Sequence, residues 1–495
     1  MTIRADTICH TANSGKVRRL MAFVRAYRDC CEAIAAKEWR TFFETGKFGG
    51  KYANSSKFNE ICGAAPAQMA RAQVAAMLAS FLGNRQNDFR EAVQRSQLPA
   101  DTKHQLHVIS KRKAWHLRAD IPMPGKSAEV IAPEVRQLAL SIWRQIRKRH
   151  RLPNARGIAP VLDTRVARVS QSTKAHADLW VRLKFVGQTA FRIPLHVHEH
   201  WRSRKGARCN VVQFVPAGEG FSIRLMTDMA EAFKESRAAY GARTDRIGVD
   251  FGLSTLIATD HGDLMGRGFL DAMRRFDRQI TGIARHRQRS GGRARDSQRY
   301  CALVNRVRGI IKTRLNTALN LLVNIHTPAE IVVERLDFRL PGLSRRLNRI
   351  ITNCGRGVFK SKLEDLQQKF GIKLADVNAA YTSQECVRCH FVDRGNRKSQ
   401  SEFRCLHCGH TAHADVNGAK VVTARRSRGL DQRFASRAQV LGVLRQEFAE
   451  RHRPGTHASS GQPNRCCCGG HPAGIVGLRG NEAFAGISHD YHECQ

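Results

Sequence analysis

The chain has 495 residues, a mass of 55.5 kDa and 83 Lys and Arg residues against 42 Asp and Glu, which gives a net charge of +41. Its length predicts two to four domains, and so large a positive excess repels itself unless a polyanion is bound. The charge therefore favours nucleic acid as the partner and argues against a membrane-surface protein, because no basic amphipathic helix with an aromatic face is evident.

The amino-terminal residues, "MTIRADTICHT", lack the apolar core of a signal peptide, and no segment has the apolar length that spans a bilayer. We therefore expect a cytoplasmic protein. The 15 cysteines should then be reduced, so cysteine pairs with metal-type spacing predict metal sites before disulfides.

The amino-terminal half predicts helices framed by strands. Residues 1–10 read as one short strand, and residues 16–150 contain helices such as "PEVRQLALSIWRQIRKRH", whose basic end suits either solvent or phosphate contact. Residues 160–228 alternate apolar and polar positions, which indicates an antiparallel sheet or small barrel. If the first strand belongs to this sheet, the helical block is an insertion within a β domain.

From residue 245 the pattern changes to mixed strands and helices. "RIGVDFGLSTLIATDHGDLMG" predicts two strands joined through Gly252 and a turn at His261 and Gly262 into a third. Two long basic helices follow, broken at Gly291 and Gly292. The second carries an amphipathic face that we expect to pack on a sheet: Ile311, Leu315, Ala318, Leu322 and Ile325.

The last third of the chain predicts a short strand, a helix and a second strand before the pattern is lost. These are "EIVVE", a helix near 358–370 and "IKLADVNAA". After residue 428 the sequence turns rich in Gly, His and Cys, which predicts a flexible tail. Its "CCCGGH" is a possible metal ligand set, although a disordered tail is the favoured interpretation.

Four cysteines form the clearest chemical motif, C-x₂-C-x₁₅-C-x₂-C, made of Cys386, Cys389, Cys405 and Cys408. Four thiolates at this spacing suit tetrahedral Zn²⁺, and a closed four-sulfur site is structural because no position remains for water. His390, His407 and His410 lie nearby as alternative ligands, although exposed loop histidines explain them equally simply.

Three acids stand at the ends of apolar segments. Asp250 follows "IGV", Glu334 ends "IVVE" and Asp415 precedes "VNGAKVV", which continues as a helix. Each alone is consistent with a surface acid or a helix-terminal acid. If the three converge, each pair at about 5 Å repels by roughly 3 kcal/mol at an effective dielectric of about 20, so divalent cations are required. Two Mg²⁺ ions held in this way activate water for phosphodiester hydrolysis.

The order of four motifs, "GVDFG", "VVERLDF", "YTSQECVRC…FRCLHCG" and "HADVNGA", resembles the RuvC nuclease domain of the TnpB proteins and the compact type V CRISPR effectors. The match lies within residues 245–427. The resemblance implies that Asp250, Glu334 and Asp415 are the catalytic, magnesium-binding acids of an RNase H-like domain. It also implies that the zinc ribbon is inserted before the last catalytic helix.

The same resemblance implies a multidomain α+β architecture. In the amino-terminal half it implies a wedge β-barrel interrupted by a helical recognition lobe, an agreement of architecture and not of motif. The implied divisions are 1–14 for the first barrel strand, 15–155 for the recognition lobe, 156–243 for the remaining barrel, 244–384 for the RuvC domain, 385–410 for the zinc ribbon, 411–428 for the final RuvC helix and 429–495 for the tail.

By the same resemblance, the function is that of an RNA-guided DNA endonuclease. It implies a guide RNA, a double-stranded DNA target with a short adjacent motif, two catalytic Mg²⁺ ions, one structural Zn²⁺, a monomer or homodimer, and association with the nucleoid when DNA is bound. Two departures are local: His390 stands where glycine is usual, and Gly418 replaces alanine at a helix-propensity cost of about 1 kcal/mol. The alternatives are a guided DNA binder with little cleavage and an unguided RuvC-like nuclease.

Overall fold

The computed structural model describes residues 2–51, 53–115, 120–172, 176–218, 220–251, 255–334, 342–399, 401–429 and 435–452. The expectations for Gly252, for residues 335–341 and for the "CCCGGH" segment lie outside these residues. The chain divides into two units, Met1–Phe448 and Ala449–Gln495, and the features described below lie in the first, except for the last three residues of the final described helix.

Strand β1, Ile3–His10, is followed by a long helical block. Its helices and a small hairpin are α1 (Ser14–Thr45), α2 (Asn59–Cys62), α3 (Ala64–Arg95), α4 (Ala100–Arg112), β2 (Pro122–Met123), β3 (Lys126–Val130) and α5 (Pro133–Arg149). Helix α1 begins where Asn13 accepts the Lys16 N–H and ends at Gly46, whose φ of 75° is the left-handed conformation typical of a helix stop.

The chain then returns to the sheet that contains β1. The elements are β4 (Val161–Asp163), β5 (Ala167–Gln171), β6 (Leu179–Leu183), β7 (Phe191–His196), α6 (Glu199–Arg202), β8 (Ala207–Ala217), β9 (Gly220–Asp228) and α7 (Ala230–Ala238). The strand order is β4-β8-β9-β1-β7-β6-β5, antiparallel throughout, and β5 also approaches β8 so that the sheet nearly closes. The helical block is therefore an insertion after the barrel's first strand, as predicted.

One core joins the barrel to α1 and α3. Inward residues of the alternating strands, such as Ile223 and Leu225 of β9, pack with Leu20 and Val24 of α1. Strand alternation places every second side chain on this face, which explains the period seen in the sequence. A separate core holds α4 and α5, where Trp115 stacks on Trp143 with ring centroids 4.3 Å apart.

The second half contains a five-stranded mixed sheet with long helices. The elements are β10 (Thr244–Asp250), β11 (Ile257–Thr259), β12 (Leu264–Met265), α8 (Phe269–Arg289), α9 (Gln298–His326), β13 (Pro328–Glu334), α10 (Arg345–Phe370), β14 (Lys373–Val377), β15 (Glu402–Arg404), β16 (Thr411–His413), α11 (Ala414–Ser427) and α12 (Arg437–Arg451). The strand order is β12-β11-β10-β13-β14, with β10, β13 and β14 parallel.

Parallel strands covered on both faces need continuous apolar runs, which "IGV" and "IVV" supply. Helix α11 lies directly on β10 because Gly248 has no side chain: a Cβ there would stand 2.5 Å from the Ala419 carbonyl oxygen. The predicted face of α9 is buried at Ile311, Leu315, Ala318 and Leu322, but Ile325 is 45% exposed. The prediction for Ile325 is wrong because Ile325 lies in the last turn of α9, one residue before the helix ends at His326, where its side chain is no longer covered by the core.

Two segments extend further than the sequence suggested. The helix expected near 358–370 begins at Arg345, where Ser344 accepts the Leu347 N–H as a cap. The segment expected as a flexible tail contains α12, whose Val440 and Leu444 are buried against Ala380. An apolar stripe of only two buried residues explains why the sequence pattern did not reveal this helix.

Candidate active site and metal centre

The fold brings the three candidate acids together. Asp250 is the last residue of β10 and Glu334 the last of β13, and these strands are parallel neighbours with Val249 paired to Val333. Parallel strands end at the same edge of a sheet, so the two carboxyls are adjacent there. Asp415 occupies the first turn of α11, which packs on β10. The convergence therefore follows from sheet register and from one helix–strand contact.

Burial and mutual repulsion dominate the electrostatics of this cluster. Burial, followed by the charges of Glu334 and Asp415, raises the pKa of Asp250 well above its ordinary value. Burial also raises the pKa of Glu334, although hydrogen bonds from Thr382 and Asp250 act in the opposite direction. Asp250 and Glu334 form a hydrogen bond with each other, and both shifts mean that this pair holds a proton more tightly than two isolated carboxyl groups do.

Two protein groups donate hydrogen bonds to carboxylate oxygens of Glu334 and Asp415. The Thr382 hydroxyl donates to Glu334 Oε2 at 2.6 Å, and Arg397 Nη2 donates to Asp415 Oδ1 at 2.8 Å. The second oxygen of Asp415, Oδ2, is buried with no hydrogen-bond partner among the described residues. An unpartnered buried carboxylate oxygen is costly, so this oxygen and the raised pKa of Asp250 both fit a site completed by a cation.

The donor set also suits a hard divalent ion, because all three side chains offer carboxylate oxygens. The three carboxylates are spaced more widely than the ligands of a compact metal site. Within the described residues, only the four cysteines place three or more His, Cys, Asp or Glu ligand atoms within 4.8 Å of one another.

Gly418 lies against the three acids, at a position where a side chain would collide with Asp250. A Cβ at this position would stand 2.6 Å from Asp250 Oδ2 and 3.1 Å from its Cγ. Contacts below 3.0 Å force a displacement. The glycine that costs helix propensity in the sequence analysis therefore leaves room for the Asp250 carboxyl in this chain.

The four cysteines form the second cluster. The Sγ atoms of Cys386 and Cys408 are 3.7 Å apart, and those of Cys389 and Cys405 are 3.6 Å apart. A tetrahedron with Zn–S bonds of about 2.3 Å has sulfur–sulfur edges of about 3.8 Å, so the spacing fits zinc. Burial raises the pKa of Cys386 to about 11, which a bound metal would offset by stabilising the thiolate.

None of the three nearby histidines joins the sulfur cluster in the described part of the chain. His390 is buried and its Nδ1 lies 3.0 Å from Glu385 Oε1. Its φ of 64° explains why glycine is favoured at this position. The His407 ring packs on Phe448, and burial lowers the pKa of His410.

Glu385 is a functional neighbour that the sequence analysis missed. It is fully buried, and its carboxylate accepts from Arg425 Nε at 2.8 Å and from Arg428 Nη2 at 2.6 Å, both on or just after α11. Its backbone carbonyl accepts from Asn417 Nδ2 at 2.8 Å. Glu385 therefore ties the residue before Cys386 to the helix that carries Asp415. The signal in the sequence that could have identified Glu385 is its position immediately before Cys386.

Helix α12 extends this connection. Phe448 packs on Phe391 with ring centroids 5.2 Å apart, and Glu447 accepts from Arg428 Nη1 at 2.8 Å. The ribbon, α11 and α12 are thus joined through Arg428, which contacts Glu385 and Glu447 at once. Helix α12 therefore contacts the end of α11 opposite to the first turn that carries Asp415.

The segment that carries the ribbon and α11 matches a known protein family. Residues 357–422 match "Cas12f1-like, TNB domain", a range that contains the four cysteines and Asp415. The chain is similar to the CRISPR-associated endodeoxyribonuclease Cas12f1 of Sulfoacidibacillus thermotolerans, with 44% identity over 63 residues, 11% of this chain and 15% of that protein. It is also similar to InsQ of Escherichia coli (strain K12), named as a putative RNA-guided DNA endonuclease, with 42% identity over 78 residues, 16% of this chain and 19% of that protein.

These matches confirm the resemblance to the Cas12f1 and TnpB family that the motif order predicted. The chain covers less than a fifth of either relative's length. A solved Cas12f1–sgRNA–target DNA complex aligns over 85% of this chain and 98% of that chain, with 11% identity and a TM-score of 0.41, below the level that defines a common fold. Within the described residues, no helix has the length and apolar character required to cross a membrane.

Proposed function

We propose that this protein is an RNA-guided DNA endonuclease that cleaves target DNA in one site formed by Asp250, Glu334 and Asp415. The observation that carries the proposal is the convergence of two buried acids, Asp250 and Asp415, and the half-buried Glu334 beside a four-cysteine ribbon whose Arg397 contacts Asp415. The order β12-β11-β10-β13-β14 with α11 packed on β10 supports an RNase H-like, RuvC-type domain. The relatives' names supply the guided activity.

The chemistry divides between the protein and its metal ions. When bound, two Mg²⁺ ions supply an activated water and charge stabilisation at the leaving oxygen. The protein residues hold the ligands: Thr382 orients Glu334, and Arg397 orients Asp415. Burial excludes bulk water from Asp250, which strengthens every electrostatic contact at the site. Four cysteines hold one Zn²⁺ that fixes the ribbon and hence Arg397.

The net charge of +41 supports a large nucleic-acid cargo, composed of guide RNA and double-stranded DNA. In this arrangement base pairing reads the sequence, while the protein reads backbone shape and a short adjacent motif. The near-closed barrel and inserted helices correspond to the wedge and recognition lobe of the proposal. The protein would act in the cytoplasm and on the nucleoid, as a monomer or homodimer.

The first test is sequencing of the RNA that co-purifies with the protein expressed from its own locus. We expect one abundant species with a constant scaffold and a variable end. That complex should cleave matching DNA only with Mg²⁺, and Asp250→Ala, Glu334→Ala and Asp415→Ala should each abolish cleavage. Heterogeneous RNA with cleavage that survives its removal would instead identify an unguided nuclease. A unique RNA with DNA binding and no cleavage would identify a guided binder.

A further inference from the structure

A cavity of about 510 Å³ lies beside the candidate active site. Its walls come from residues next to strands β11 and β12 and from the start of helix α8. Its volume falls in the range of pockets that bind small ligands, roughly 300 to 1,000 Å³. Its polar lining consists of Thr255, Arg267, Arg274, Asp271 and His413, with the helix start at Gly268. None of these residues has a role in the site described above.

The strand register fixes how far the cavity lies from the acids. Asp250 pairs with Ala258, and Ala258 pairs with Leu264, which lines the cavity. With neighbouring strands about 4.8 Å apart, the cavity wall at Leu264 lies about 10 Å from Asp250. His413 is two residues before Asp415, which limits their Cα separation to about 7 Å. The cavity therefore lies within about three stacked nucleotides of the acids, at about 3.4 Å each.

The lining has unused hydrogen-bonding capacity. Thr255 is only 4% exposed, and its hydroxyl makes no hydrogen bond in the described part of the chain. His413 Nδ1 is likewise buried without a partner among the described residues. A buried polar atom without a partner costs free energy, so His413 Nδ1, together with the unpaired Thr255 hydroxyl on the same cavity, indicates a ligand with hydrogen-bonding atoms.

The charge of the lining selects an anion. Helix α8 has 21 residues, and its N-cap, Gly268, lines the cavity. The first backbone N–H groups of a helix have no intrahelical partners, and Gly268 supplies no capping side chain. Arg274 is partly neutralised by Asp271 at 3.2 Å, whereas Arg267 makes no ion pair with any described residue. The helix start and Arg267 together favour a singly charged, oxygen-rich group such as a phosphodiester.

We propose that this cavity binds a backbone phosphate of single-stranded DNA within about three nucleotides of the scissile bond, through Thr255, Arg267, His413 and the first N–H groups of α8. The inference rests on the proposed function, because it assigns a substrate subsite to that active site. Its effect would be to fix the register of the strand that enters between the acids.

The test uses the full-length protein with its co-purified RNA, and measures binding of a fluorescein-labelled single strand of thymidines in Ca²⁺ by anisotropy. Thr255→Val keeps shape and charge, so a change in affinity cannot arise from general electrostatics. Thr352→Val is the matched control, because Thr352 Oγ1 likewise has no hydrogen-bond partner among the described residues but does not line this cavity. We expect Thr255→Val to weaken binding about tenfold and Thr352→Val to leave it within about twofold.

Arg267→Ala adds a second readout. Loss of one phosphate contact should reduce the slope of log affinity against log salt concentration by about 0.7, whereas Thr255→Val should leave the slope unchanged. The inference is overturned if Thr255→Val binds like the wild type or loses no more than Thr352→Val, or if the wild type does not bind the strand.

A parallel Mg²⁺ cleavage assay separates the two hypotheses. If Thr255→Val weakens binding but the wild-type protein does not cleave DNA, the phosphate subsite is supported and the proposed nuclease activity is rejected. Cleavage with unaltered Thr255→Val affinity would retain the nuclease and reject the subsite.

Discussion

Arg397 of the cysteine ribbon donates a hydrogen bond to Asp415 of helix α11 at 2.8 Å, which joins the metal-binding knuckle directly to a candidate catalytic acid. This contact explains why the ribbon is placed immediately before that acid. The ribbon therefore contacts the carboxylate of this candidate site, and the buried contacts of Glu385 tie the ribbon to α11.

Removal of this arginine should affect cleavage more than binding. Arg397→Ala leaves the buried Asp415 carboxylate without its charged partner, so we expect about a tenfold or greater loss of Mg²⁺-dependent cleavage with DNA affinity changed less than about threefold. Lys398→Ala, an exposed change at the neighbouring position, is the control and should retain activity. Equal losses in both variants would show that the ribbon acts only through its positive charge.

Gly418→Ala tests the space beside Asp250. The added methyl would stand 2.6 Å from Asp250 Oδ2, so the carboxyl must move and cleavage should fall by about tenfold or more. Gly309→Ala in α9 is the matched control because its Cβ meets nothing within 4 Å. That control should raise the free energy of unfolding by about 0.5 to 1 kcal/mol and leave cleavage unchanged. Full activity of Gly418→Ala would contradict the steric account.

The raised pKa of Asp250 predicts a pH-dependent stability. Between the ordinary carboxyl pKa and the raised one, the unfolded chain is ionised while the folded chain retains the proton, so the stability falls as pH rises through this window. Asp250→Asn removes this loss and should raise the metal-free melting temperature by about 2 °C or more at about pH 8, with little gain at about pH 4.

Magnesium provides the complementary measurement on the same variant. Added Mg²⁺ should raise the melting temperature of the wild type, because it binds only the folded site, and should leave Asp250→Asn unchanged. Differential scanning calorimetry across pH, with and without Mg²⁺, measures both effects. At alkaline pH, a melting temperature of Asp250→Asn below that of the metal-free wild type would contradict the repulsive cluster.

Zinc removal should uncouple cleavage from nucleic-acid binding. We expect one zinc per chain by elemental analysis, and its loss in Cys405→Ser, because the four sulfur atoms form a closed site. Without the metal the ribbon no longer fixes Arg397, so cleavage should be lost while most binding of RNA persists through the remaining basic surface. Cys301→Ser, an exposed cysteine outside the ribbon, is the control.

We expect Glu385 to contribute more to the free energy of unfolding than Glu447, a half-buried acid that also contacts Arg428. Although burial acts to raise it, the pKa of Glu385 is lowered by His390, Arg425 and Arg428. Glu385→Gln leaves Arg425 buried and uncompensated, so we expect a loss of about 3 to 5 kcal/mol in urea unfolding. Glu447→Gln, which removes a partly exposed ion pair with Arg428, should cost about 1 kcal/mol or less. Similar losses in the two variants would contradict the view that Glu385 is the main contact between the cysteine ribbon and α11.

Local sequence patterns were enough to predict the main elements and the chemistry of the ligands. Continuous apolar runs identified β10 and β13 as strands that end at Asp250 and Glu334, because burial on both faces demands such runs. Cysteine spacing predicted the four-sulfur cluster, since two short pairs already place their thiols on one knuckle. The motif order also identified the resemblance to the Cas12f1 and TnpB family.

The residues that support those groups became visible only in the folded chain. Arg397 reaches Asp415, Glu385 reaches Arg425, and α12 packs near Ala380, through contacts that leave no period in the sequence. The same is true of the space that Gly418 leaves for Asp250, which appears in the sequence only as a weak helix former. Local pattern records what a residue buries, whereas the partner of a buried charge depends on how separate segments pack.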